Sequence, residues 1–117
     1  MSSFEINIWR FNYNELDGIK LYEVIVNFTI PDVDEKNELI ILQCANEVVY
    51  VASCILGEAV NYCGNINDAC MTNIQNTVAL ADERVAEAFQ ECLWQSGMPE
   101  EIIRECEVNV LVRESYI

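Results

Sequence analysis

A chain of 117 residues with 52% apolar content, four glycines and two prolines is long enough to bury a core and too apolar for general disorder. Twenty acidic residues against six basic ones leave a net charge of -14, which repels nucleic acid and anionic membrane and suits a basic partner, cations or plain solubility. With no histidine, Cys–His nucleophiles, histidine acid–base catalysis and His-containing metal sites are excluded.

The opening MSSFEINIWRF has neither a basic region nor a long apolar one, so no signal peptide is expected. No window approaches about eighteen uninterrupted apolar residues, so no membrane-spanning helix is expected either. Without an export signal, the six cysteines are expected as thiols in a reducing cytoplasm.

Residues 1–30 read as a β-hairpin. Two β-rich runs meet at NELDG, whose Asp-Gly pair is a hairpin signal. In the second run Tyr22, Val24, Val26, Phe28 and Ile30 alternate with Leu21, Glu23, Ile25, Asn27 and Thr29.

The next segment, 34–63, reads as a long helix. On a wheel of about 100° per residue, Ile41, Leu42, Ala45, Val48, Val49, Ala52, Ile55, Leu56, Ala59 and Val60 share one side. Gln43, Asn46, Glu47, Tyr50, Ser53, Gly57, Glu58 and Asn61 share the other. Asp32 or Asp34 supplies the N-cap and Gly64 the stop. Neighbours in the trio Cys44, Cys54 and Cys63 are roughly 14–15 Å apart along this axis, too far to bond one another or share a metal.

A second helix, 66–97, carries the stripe Cys70, Met71, Ile74, Val78, Ala81, Val85, Ala88, Phe89 and Cys92, with Gly97 closing it. The short connection CGNIND makes the two helices an antiparallel hairpin. Cys63 and Cys70 flank that loop; with no C-x-x-C pair, reduced core thiols are expected over a bridge or a zinc site. After a turn opened by Pro99, residues 106–117 read as a last strand, with Val108, Val110 and Val112 alternating with Asn109, Leu111 and Arg113.

The order is β-β-α-α-β, so the expected fold is a single two-layer α+β domain over 1–117: a three-stranded antiparallel sheet packed on a long antiparallel helical hairpin. In simple alternation the outer sheet face carries Trp9, Phe11, Tyr13, Leu21, Ile25 and Leu111 among Glu5, Glu23, Asn27, Asn109 and Arg113. A bulge in the first strand would instead turn some of these rings inward.

No nucleophile elbow, phosphate-binding loop or dinucleotide fingerprint occurs, so the expectation is a non-enzymatic protein with no catalytic residues, metal or cofactor. Glu83, Glu87 and Glu91 form an i, i+4 row on the second helix, and Glu100, Glu101, Glu105 and Glu107 follow after the turn. Like charges at i, i+4 cost a helix about 0.2–0.5 kcal/mol per pair. Either the row is a solvated face, or it mimics phosphates and enters a basic groove.

The leading expectation is an acidic inhibitor whose Glu83, Glu87, Glu91, Glu100 and Glu101 engage a basic, nucleic-acid-binding surface of a partner protein. In size and charge alone the chain resembles the small acidic proteins that phages use to block nucleic-acid enzymes; no motif is shared. The alternative is a binder of a small anion or nucleotide, with Trp9, Phe11 and Tyr13 stacking and Arg10 or Arg113 as anion contacts. A plain structural or oligomerisation module is the third reading. A homodimer is expected through Trp9, Phe11 and Leu111, weaker at low salt than at high.

Overall fold

The computed structural model describes residues 2–15, 18–63 and 67–116, without the side chains of Glu15, Tyr62 and Cys63. In chain order these residues form β1 (Ser2–Glu15), β2 (Gly18–Ile30), α1 (Glu35–Cys63), α2 (Asp68–Gln95), α3 (Glu100–Glu105) and β3 (Glu107–Tyr116). The strands make one antiparallel sheet in the order β1-β2-β3, and α1 and α2 pack as a hairpin over one of its faces. This is the α+β arrangement expected from the element order. The Asp17 turn signal and the Gly64 stop lie outside the described residues.

Local chemistry sets the helix boundaries. Asp34 caps α1, its carboxylate accepting the Asn37 amide at 3.0 Å, and Asn67 caps α2 by accepting the Cys70 amide at 2.9 Å. At the end of α2 the Gly97 amide reaches the Trp94 carbonyl at 3.0 Å and the Met98 amide reaches Leu93 at 3.1 Å. That paired bonding needs a left-handed residue, which Gly97 supplies at φ 79°, while Met98 tucks under the helix end.

The core lies between the sheet and the helix pair. β2 is central and contributes Tyr22, Val24, Val26, Phe28 and Ile30, flanked by Val108 and Val110 of β3. α1 adds Ile41, Cys44, Ala45, Val48, Ala52 and Leu56, and α2 adds Ile74, Val78, Ala81, Val85, Phe89 and Leu93. Leu42, read from the wheel as core, is 37% exposed instead, because the buried arc turns toward Cys44 where α2 packs. The open edge of β3 is guarded by α2: the Asp82 carboxylate accepts the Val110 amide at 2.7 Å.

Two expectations about the sheet and the cysteines are corrected. The first concerns β1, whose register shifts between Asn7 and Trp9. Phe4 and Ile6 pair with Phe28 and Val26, and after the shift Trp9 and Phe11 pair with Val24 and Tyr22. The extra residue, Ile8, therefore reverses the alternation and turns Trp9, Phe11 and Tyr13 to the helix side, where they pack against the core. Phe11 stacks on Tyr22 with centroids 5.4 Å apart, and the Tyr13 hydroxyl donates to Asp68 at the start of α2.

The second correction concerns the cysteines. Cys44 and Cys92 are disulfide-bonded, with Cα atoms 5.7 Å apart, so α1 and α2 are cross-linked rather than merely packed. The antiparallel hairpin brings Cys44 and Cys92 into register, which neither helix reveals alone. Cys70 is also disulfide-bonded, and the side chain of Cys63 lies outside the described residues. By length and composition alone Glu35–Asn61 is long and apolar enough to cross a membrane, a test that the core helix of a folded domain also passes. Gln43, Asn46 and Glu47 interrupt the apolar runs without making the segment polar on average. Its Ile41, Ala45, Val48, Ala52 and Leu56 nevertheless form a core face.

Candidate functional site

The acidic row leads to a cleft. α2 ends in the Gly97 turn, and α3 folds back so that the two helices flank an open cleft of about 520 Å³, with Glu87, Gln90, Glu91 and Trp94 on one side and Glu100, Ile103 and Arg104 on the other. Burial of Leu93, Met98 and Ile103 beneath holds both walls in place. Glu87, Glu91 and Glu100 therefore converge, although nine sequence positions separate the last two. Glu83 continues the row one turn before the cleft, exposed on α2, and Glu101 is exposed on α3 outside the lining.

Trp94 is the residue that the sequence reading missed. It lies off the buried stripe and is 65% exposed, yet it stands in the cleft wall beside the acids. A large aromatic on the polar arc of an otherwise well-segregated helix was the available signal. Within the cleft lining Arg104 donates to Glu100 at 2.8 Å, and Gln95, outside that lining, donates to Glu91 at 3.3 Å. These contacts leave Glu87 and much of Glu91 facing solvent, so the cleft offers carboxylates and an indole face. Such a surface can receive a cation's charge on the carboxylates and its stem or π-face contact on the ring.

The outer sheet face is arranged differently. Glu23 lies at its centre, only 8% exposed, and draws in every cation nearby. Arg10 Nη2 reaches its Oε2 at 3.2 Å, Arg113 Nε reaches its Oε1 at 3.7 Å, and Asn7 donates to the same carboxylate. Arg113 also donates to both Glu5 oxygens, at 3.1 and 3.3 Å. Both arginines expected as anion contacts are thus engaged by carboxylates of their own sheet. Ile25 is covered by this layer, between Asn7 and Leu111.

Consequently the stacking set Trp9, Phe11 and Tyr13 and the arginines Arg10 and Arg113 are on opposite faces of the sheet. Leu111 stays on the outer face, so it shares no patch with Trp9 and Phe11, and the interface expected from those three residues does not assemble. The cause in both cases is the Ile8 bulge.

The chain matches no known protein family, no curated protein and no solved structure.

Proposed function

We propose that the protein is a non-enzymatic binding protein, an inhibitor in kind, whose α2–α3 cleft engages a basic surface of a partner protein. The observation that carries the reading is the convergence of Glu87, Glu91 and Glu100 with the exposed Trp94 in one cleft. Glu83 extends the charge row by one turn, at roughly 6 Å per turn, so a groove of lysines or arginines meets carboxylates at near-regular intervals. A charge of -14 on the chain draws such a partner in from a distance. The exposed indole supplies the apolar anchor that charge rows lack.

The test uses an oligo-arginine peptide as probe and Trp94 fluorescence as readout, in a Trp9→Phe background. The double reversal Glu87→Lys/Glu91→Lys is compared with Glu58→Lys/Glu114→Lys. Both pairs change net charge equally, but the second lies toward the opposite end of a molecule 50 Å long. The reading requires a much larger loss of affinity for the first pair. Equal losses would reduce the binding to net charge alone and remove the cleft from the account.

A further inference from the structure

α1 has an outward face that differs from the rest of this acidic molecule. Leu39, Gln43, Asn46, Tyr50, Ser53 and Gly57 recur at alternating spacings of four and three, the period of a helix–helix seam. Between Glu38 and Glu58 the helix holds one charged residue, Glu47, at the flank of that seam. Leu39 is 59% exposed and Tyr50 72% exposed along it. Gly57 adds an independent observation. A mid-helix glycine destabilises a helix relative to alanine, and a Cβ built at Gly57 meets nothing within 4 Å. Packing within one chain therefore leaves room for an alanine there, whereas the close approach of a second backbone favours glycine.

We infer that this face of α1 pairs with the same face of a second copy, antiparallel about a twofold axis near Tyr50. A twofold operator makes one patch complementary to itself. Two chains of charge -14 repel, and this face is where two copies can meet with the fewest charges between them. The acids of α2 and α3 are then held away from the interface, so the cleft stays open. A single helix face of this length buries less than the roughly 1,200 Å² of a standard interface. The adjoining cleft of about 190 Å³, where Ile8 and Trp9 meet Ser53, Gly57 and Asn61, extends the contact area. The dimer is accordingly a weak, micromolar one, strengthened by salt as the repulsion is screened.

Sedimentation velocity over low to high micromolar concentrations, at low and raised salt, tests this with the full chain. The wild type should shift from monomer to dimer. Gly57→Ala should raise thermal stability, since the helix gains a better residue in open space, and yet weaken the dimer about tenfold or more. Tyr50→Arg should do likewise to the dimer, although it lowers the net negative charge that opposes association. A wild type that stays monomeric throughout overturns the inference, as does a dimer indifferent to both substitutions. So does Tyr50-dependent flotation with neutral phosphatidylcholine vesicles by a chain that does not dimerise, which would assign the face to lipid.

Discussion

Cys54 and Cys106 are the two free cysteines among the described residues, and their surroundings give them opposite chemistry. Cys106 caps α3 in the core, and burial, with the neighbouring Glu105 charge, pushes its thiol up from 9.0 to about 11. In the unfolded chain the same thiol ionises near its ordinary value. Its contribution to stability is therefore complete below pH 9 and declines as pH rises toward about 11. Chemical denaturation across that window should show a shallower decline for Cys106→Ser than for wild type. In dilute native protein at neutral pH a thiol reagent should label the exposed Cys54 and spare Cys106 until unfolding. Asp82 acts at the same scale. Removing its carboxylate leaves the buried-side Val110 amide without an acceptor, so Asp82→Ala should cost about 1–3 kcal/mol, and Asp82→Asn, which keeps an oxygen, should cost less.

At the scale of elements, α2 combines a structural face with an acidic one, and the two respond oppositely to mutation. Neutralising Glu83, Glu87 and Glu91 to glutamine removes like-charge pairs, so thermal melts should show a gain of about 0.2–0.5 kcal/mol per pair while affinity for a basic probe falls. The Cys44–Cys92 link closes a separation of 48 residues, and a Cys44→Ala/Cys92→Ala variant should lose about 2–4 kcal/mol in urea titrations. How legible these elements are depends on the range of the forces that make them. Helix stripes, the Asp34 cap and the Gly97 stop are local, and the sequence displays them. The Ile8 bulge is only half legible: the apolar phase of FEINIWRFNY breaks where Ile8 and Trp9 stand side by side, but only the demand that Phe4, Ile6, Trp9 and Phe11 all reach the core turns that break into a register shift. The disulfide and the cleft likewise depend on how α2 meets α1 and α3, which is a tertiary fact. Thus Glu87 and Glu91 could be read from spacing, whereas their meeting with Glu100 across the Gly97 turn and the part played by Trp94 could not.

Across the whole molecule the charge is unevenly spread. The α2–α3 end gathers carboxylates around an indole, the outer sheet face neutralises its own charges around Glu23, and the face of α1 carries almost none. Partner binding and self-association should consequently respond to salt with opposite signs, the first weakening and the second strengthening as ionic strength rises. The central claim is that recognition belongs to the cleft rather than to acidity in general. The most direct measurement is an amide chemical-shift titration of the labelled protein with the oligo-arginine peptide. Saturating shifts should be confined to Glu83–Trp94 and Glu100–Arg104, with Tyr50, Gly57 and the outer strand residues Asn27 and Asn109 unmoved. Shifts spread evenly over every acidic segment, or centred on the sheet, would contradict that claim.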